Sequence, residues 1–266
     1  MHYRTMDDNI IQSVHRAMQI LGLFSLNDPC LGISEMSRLL NIKKGTVQGL
    51  VRSLTRDGFL DKDGDTRKYR LGLKIYELGV ILAGSLEINH GASGPAQQLA
   101  KRTQHQVRIA IKDNDSVLVT LDAYPKPQPF YSPQFGPRAP LYCTALGKAL
   151  LAFLEKQEVD AYLEKVHLVP YTPNTITRKD KLIRVLKETR KRGYSINREE
   201  HLLGRAAIGA PILGRKGYPV ASIVIVVNPS KLDEKINNLA QEVKKTALEI
   251  SQLMGFSYRS INEMIT

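Results

Sequence analysis

Cysteine is scarce in this 266-residue chain: there are two, Cys30 and Cys143. They fall in what read as different domains, so a disulfide-stapled scaffold is not expected and a reducing cytoplasm is the simplest setting. The first residues, Met1 to Asp8, are polar and lack the apolar centre of a signal peptide. Long apolar runs are missing too. Stretches such as Ala221 to Val227 are too short to span a bilayer, so no membrane partner is expected. Catalytic and cofactor signatures are also lacking. There is no dinucleotide fingerprint. Ala145-Leu146-Gly147-Lys148-Ala149 has the outline of a phosphate-binding loop's end, but Tyr142 stands where Gly is needed and Ala149 replaces the Ser or Thr after the lysine. His90, His105, His167 and His201 have no metal-ligand spacing among themselves or with Cys143, and read as surface or structural residues. Glu199-Glu200-His201 could do acid–base work, but no nucleophile pairs with it in sequence. Neither an enzyme nor a cofactor nor a metal is expected. No internal repeat and no low-complexity tract is visible.

What is present in excess is positive charge, a net of +12 with a pI near 9.6. That suits a polyanionic partner, yet its distribution is uneven. Residues 1 to 90 hold 12 Lys and Arg against 10 Asp and Glu, whereas residues 91 to 266 hold 26 against 16. The case for nucleic acid therefore rests on local clustering. From Arg38 to Lys74 there are 10 basic residues and 4 acidic ones.

That cluster sits on the best-defined pattern in the chain. Ile33, Met36, Leu39 and Leu40 form an apolar stripe on one short helix. Asn41 follows where the chain must turn sharply, and Asn tolerates a left-handed backbone. Val47, Leu50, Val51 and Leu54, at i, i+3, i+4 and i+7, then form the stripe of a second helix. Its other face carries Lys44, Thr46, Gln48 and Arg52, with Lys43 just before it. Lysine and arginine suit phosphates; Thr46 and Gln48 suit base edges in a major groove. Phe59-Leu60-Asp61-Lys62 and Lys68-Tyr69-Arg70-Leu71 flank an Asp63-Gly64 turn, as a hairpin would. Arg67, Lys68 and Arg70 lie at or near its tip. Helix, turn, helix and wing agree on DNA binding.

A first helix is expected over Ile10 to Leu26, with Val14, Ala17, Met18 and Leu21 inward, after a loose tail of residues 1 to 9. Leu73 to about Ile88 reads as a helix that is apolar on more than one face, which suits a connecting and dimerising role. Gly91-Ala92-Ser93-Gly94-Pro95 reads as a boundary before a helix from Ala96 to Thr103. Domains of 1–72, 73–90 and 91–266 follow. Beyond the boundary the pattern predicts strands over Gln106 to Lys112, Val117 to Ala123, Tyr194 to Arg198, Ala206 to Leu213 and Pro219 to Val227. Pro125 to Pro140 is expected to be loop and edge strand. Helices are predicted over Leu146 to Leu154, Gln157 to Val166, Lys179 to Arg192 and Lys231 to Met254. The class is α+β, with a mixed or antiparallel sheet. Cys143-Thr144-Ala145-Leu146 opens a helix, where free N–H groups suit an anionic ligand and where Thr144 is also a natural cap. The eight basic residues between Arg178 and Arg192 read as a solvated helix face rather than a second nucleic-acid contact.

At this point the residues resemble the IclR family of bacterial transcriptional regulators over nearly the whole chain. The most specific stretch is Arg138-Ala139-Pro140-Leu141-Tyr142-Cys143-Thr144-Ala145-Leu146-Gly147-Lys148-Ala149-Leu150-Leu151-Ala152. Thr172 to Thr177, Arg192-Gly193-Tyr194-Ser195 through Glu199-Glu200, Ala206 to Pro211, Ser13 to Leu21 and Tyr69-Arg70-Leu71-Gly72 support it. The resemblance implies an N-terminal winged helix-turn-helix, a linker helix and a GAF-like C-terminal effector-binding domain. It implies dimers or tetramers on palindromic double-stranded operators of catabolic genes, controlled by a small-molecule effector such as an organic or aromatic acid. By the same likeness the effector site comprises Cys143, Thr144, Ala145, Leu146, Asn197, Ala207, Ile225 and Val227.

Two departures stand out. Gly45 and Gly49 replace the Ser and Arg usual in the family, and Gly costs about 1 kcal/mol inside a helix relative to Ala. Ile225 and Val227 are apolar where the family often has Ser, which points to a ligand with an apolar body. Two other readings are a metabolite enzyme or storage module with a protein-docking head, and a nucleoid-type architectural protein. The first lacks a catalytic set. The second leaves the pocket domain unexplained.

Overall fold

The computed structural model describes residues 10–126 and 137–257. The expected tail of residues 1–9 and the middle of the Pro-rich stretch lie outside the described residues. The chain divides between Ser85 and Leu86 into two compact units.

In the first unit, helix α1 (Gln12–Leu21) is shorter than its periodicity suggested and stops at Gly22. Ile20 is buried, whereas Val14 and Met18, expected inside, are more than half exposed. Helices α2 (Ile33–Leu40) and α3 (Lys44–Arg56) follow. Glu35 reaches back to accept a hydrogen bond from Gly32 N at 2.6 Å, fixing the start of α2. Asn41 ends it in the left-handed region with φ 54, and Ile42 N donates to Ser37 O across that turn. Met36, Val47, Val51 and Leu54 meet Ile20, Leu31 and Leu60 in one core. The angle between α2 and α3 is therefore set by buried apolar surface, and the far side of α3 is left to solvent.

Strands β1 (Leu60–Lys62) and β2 (Tyr69–Leu71) form the antiparallel wing, extended by a bridge from Leu31 to Tyr69. The backbone re-enters the unit at Gly72, where a Cβ would stand 2.2 Å from Gly58 O, so only glycine permits that approach. Helix α4 (Leu73–Ser85) follows, and none of its residues is buried.

In the second unit, the Gly91 to Pro95 stretch is no boundary. Helix α5 (Glu87–Thr103) runs straight through it with Pro95 inside. Ile88, Ala92, Ala96 and Leu99 give α5 a buried face of mostly small residues. At Gly91 a Cβ would already stand 2.9 Å from Met254 Cε. Close packing thus overrides the local cost of glycine and proline. Strands β3 (Gln106–Asp113), β4 (Ser116–Ala123), β5 (Arg138–Pro140), β6 (Ser195–Arg198), β7 (Ala206–Leu213) and β8 (Pro219–Val227) make one antiparallel sheet in the order β5-β4-β3-β8-β7-β6. Helices α5 and α9 (Pro229–Leu253) cover one face around Val107, Ile109, Ile208, Ile223 and Ile225. Helices α6 (Ala145–Leu151), α7 (Lys156–Lys165) and α8 (Lys179–Arg192) are associated with the second core, which takes Ala110, Val117 and Val224 from the sheet. No helix of the described residues is long and apolar enough to cross a membrane.

Every residue of α6 is buried. A Cβ on Gly147 would lie 2.1 Å from Leu141 O. The loop before α6 therefore folds directly over the helix's first turn.

Candidate functional site

On the first unit, α3 presents the face its periodicity assigned to solvent. Lys43, Lys44, Thr46, Gln48 and Arg52 are all exposed. Among the described residues, the charged groups of Lys43, Lys44 and Arg52 make no ion pair. Gly45 and Gly49 lie on the same side, and a Cβ at either would meet nothing within 4 Å. Neither glycine is required by packing inside the chain. They leave a smooth strip of backbone between Lys44, Gln48 and Arg52 that another molecule can approach closely.

The wing is stiffened by Asp63. Its carboxylate accepts from Thr66 N at 2.8 Å, Thr66 Oγ1 at 2.7 Å and Asp65 N at 3.2 Å. These bonds hold its pKa below the usual carboxylate range, the Thr66 hydroxyl contributing most. The loop is thus built around a side-chain acceptor rather than a two-residue Asp-Gly turn. Arg67 sits exposed at the tip with φ 57. Lys68 and Arg70 are engaged within the chain. Lys68 pairs with Glu35 at 3.2 Å, and Arg70 forms a fork on Asp61 at 3.1 and 2.8 Å. Both pairs are partly exposed, where such contacts contribute little, so either cation can exchange partners.

On the second unit, the sheet face toward α6 and the loop joining β6 to β7 border an open cleft of about 590 Å³, its mouth to solvent included. Its sheet side is Arg108, Val119, Ala139, Ala206, Ala207, Val224 and Val226. Thr144, Ala145 and Leu146 close one side, Asn197 another, and His201, Leu202 and Arg205 a third. The lining is mostly apolar with a few polar groups at the edge, which is how small-molecule sites are built.

Five of the eight expected residues, Thr144, Ala145, Leu146, Asn197 and Ala207, come together there. Ile225 and Val227 do not. Strand side chains alternate, and both belong to the opposite face with α5 and α9; Val224 and Val226 are the cleft's residues. Cys143 is not a lining residue either. It is fully buried, with its thiol pushed up to about 12 by burial and by nearby Glu200. Its contribution is its carbonyl, which accepts from Asn197 Nδ2 at 2.8 Å.

The polar atoms at the cleft are partly committed. The Thr144 hydroxyl accepts from Gly147 N at 3.0 Å and donates to Pro140 O at 2.9 Å, so it caps α6. Asn197 Oδ1 accepts from Glu200 N at 3.0 Å. Arg108 and Asp122 form a partly buried pair at 2.8 Å. His201 packs edge-on against Tyr171 with centroids 5.0 Å apart, and burial holds its pKa below the ordinary imidazole value. It is therefore neutral at pH 7. Arg108, Arg205 and His201 were absent from the sequence expectation. Arg108 lies almost a hundred residues before His201 and Arg205, and no local spacing marks the three as a set. Among the described residues no cluster of His, Cys, Asp or Glu could hold a metal ion.

Comparison with known proteins identifies the family of the two units. The IclR helix-turn-helix domain matches residues 13–64, and the bacterial transcriptional regulator IclR C-terminal domain matches residues 81–252. The HTH-type transcriptional regulator XynR of Escherichia coli is 30% identical over 93% of this chain and 98% of its own. The crystal structure of the Thermotoga maritima IclR superposes with a TM-score of 0.73 at 31% identity, covering 93% of this chain and all of that one. An IclR homolog from Microbacterium hydrocarbonoxydans, solved in complex with 4-hydroxybenzoate, shares the fold with a TM-score of 0.79 at 20% identity over 92% and 100% of the two chains.

Proposed function

Because this chain belongs to the IclR family of bacterial transcriptional regulators, we propose how its two sites divide the work of a DNA-binding regulator under small-molecule control. It is a helix-turn-helix transcriptional regulator and not an enzyme. The exposed face of α3 enters a major groove. Lys43, Lys44, Arg52 and Arg67 contact phosphates, with Lys68 and Arg70 joining when they leave Glu35 and Asp61. Thr46 and Gln48 read base edges. The observation that carries this reading is the two-sidedness of α3: Val47, Val51 and Leu54 are buried and fix its orientation, while its cations stand exposed.

The chain works as a dimer at least. Helix α4 exposes Leu73, Tyr76, Leu78, Val80, Ile81 and Leu82, and Leu73 is 86% exposed. A second copy of the chain covering that helix would remove a large apolar patch from water, and a twofold dimer reads a palindrome. Its place of action is the cytoplasm, with the DNA.

The effector is a carboxylate with an apolar body, an aromatic monocarboxylate first among candidates. Val119, Leu146, Val224 and Val226 would contact the ring, and Arg205 and Arg108 the acid group. The bound 4-hydroxybenzoate of the Microbacterium homolog makes that compound the natural first probe.

The test is selection of duplexes from fragmented genomic DNA of the source organism across a salt series, followed by calorimetry with 4-hydroxybenzoate and related acids. Recovery of one or a few palindromic sites, still preferred as salt rises, supports the reading. Uniform recovery that vanishes with salt would reduce it to backbone attraction. Genes beside the recovered sites nominate the effector.

A further inference from the structure

The loop from Glu199 to Arg205 has two sides. His201, Leu202 and Arg205 line the ligand cleft, while Glu200 lines a second cavity together with Lys148 of α6. Lys148 Nζ and Glu200 Oε1 form an ion pair there, with 1% and 9% of the two side chains exposed. Further bonds lock the same loop. Thr172 Oγ1 donates to Glu199 O and Thr175 Oγ1 to Glu200 O, each at 2.6 Å. Glu200 N donates to Asn197 Oδ1, and Asn197 donates in turn to Cys143 O just before α6. The ion pair and the Asn197–Cys143 bond tie the loop wall of the cleft to α6 and its approach, while the two threonine bonds tie it to the segment between α7 and α8.

The pair is an expensive way to fill space. Two charges taken out of water recover little net free energy, and an apolar pair of similar volume often serves stability as well or better. Burial holds the Lys148 pKa below the ordinary lysine value despite the attraction of Glu200. Glu200 Oε2 is buried and accepts no hydrogen bond from a described residue. What an ion pair supplies and an apolar contact does not is a fixed direction and separation between the two elements that carry it.

We propose that Lys148 and Glu200 are positioning residues for the ligand cleft: their buried pair holds the 199–205 loop against α6, setting His201, Leu202 and Arg205 at the spacing from Thr144 to Leu146 that the effector needs. Neither residue touches the effector. The proposal rests on the cleft being the effector site.

The test uses the full-length protein and the double variant Lys148→Met/Glu200→Leu, which removes both charges and strands neither. Three quantities are measured: thermal stability, hydrogen exchange of the ligand-free protein, and affinity for 4-hydroxybenzoate and a series of substituted benzoates. The expected variant melts close to wild type and keeps wild-type exchange in α9. Its exchange over residues 199–205 rises, and its affinity for the best-bound benzoate falls, each by roughly tenfold or more. Glu200→Asp, which keeps the charge on a shorter arm, falls between the two. Wild-type exchange in the loop overturns the proposal, as does wild-type affinity in a variant whose loop is loosened. A loss of affinity matched by raised exchange throughout α9 also overturns it, because the pair would then be holding the whole domain. If wild type binds none of the benzoates, the effector reading fails separately, and loop exchange alone decides whether the pair positions this wall.

Discussion

Helices α3 and α6 are built from overlapping residue types and use them in opposite ways. On α3, Lys44, Gly45 and Gly49 face outward, with nothing near the place a Cβ would occupy on either glycine. On α6, Gly147 is pressed against the Leu141 backbone and Lys148 is buried on Glu200. The exposed lysine makes no ion pair among the described residues and is left to solvent. The buried one can only address the chain itself. An exposed glycine gives up helix propensity in return for a thin backbone, whereas a buried one permits an approach that no side chain would allow. Identity and spacing alone do not separate these roles; surroundings do.

The comparison can be broken by substitution, and the effects should differ in size and in kind. Lys148→Met should be the most damaging, because it leaves Glu200 buried without its partner. A loss of about 3–5 kcal/mol is expected, and chemical denaturation should show it to be larger than the loss in the Lys148→Met/Glu200→Leu pair. Equal losses in the two would mean that the charge on Glu200 is not what destabilises the single variant. Gly147→Ala comes next, at about 3 kcal/mol by the overpacking scale, since backbone atoms cannot swing aside as a long side chain can. A wild-type melting curve would show that the loop before α6 yields more easily than its 2.1 Å approach implies.

On α3 the effects should appear in binding and leave folding intact. Gln48→Ala should change discrimination by about 1 to 3 kcal/mol at one base-pair position. Competition among singly substituted duplexes measures this, and an unchanged preference removes Gln48 from the reading set. Lys44→Ala should weaken binding to all sequences alike and make the log–log salt slope shallower by about 1, with no change in melting temperature. The smallest effect belongs to Gly49→Ala, which should stabilise the first unit by about 0.5–1 kcal/mol. If operator affinity falls in that stabilised variant, the glycine is making room for the DNA backbone. If affinity is unchanged, the strip of bare backbone has no role in the contact.

Much of the architecture could be read along the chain. The stripe of α3, the left-handed Asn41 before it and the strand pair of the wing follow local pattern, and on α2 Met36 is buried whereas Leu39, expected inside, is 56% exposed. In the second unit, the strands and helices predicted from Gln106 onward lie close to those observed. Two features escaped for physical reasons. Gly91, Gly94 and Pro95 carry the local chemistry of a break, but tight packing beside Met254 rewards small residues and keeps α5 continuous. In β8, Ala221 to Val227 is apolar except for Ser222 because both faces of the strand are covered. Alternation is then invisible, and Ile225 and Val227, which the family resemblance implied for the effector site, lie on the α5 and α9 face.

The sequence by itself determined the class of molecule, the two-domain plan and the face of α3 that is left to solvent. Each follows from helix periodicity, turn chemistry and local charge, which act over a few residues. Only the tertiary structure decided which side chains share the cleft. Arg108 comes from β3, Thr144 from the start of α6, and His201 and Arg205 from the loop after β6. Antiparallel pairing across the sheet and burial on both its faces bring them together, and both act between segments too far apart in sequence for any spacing to record.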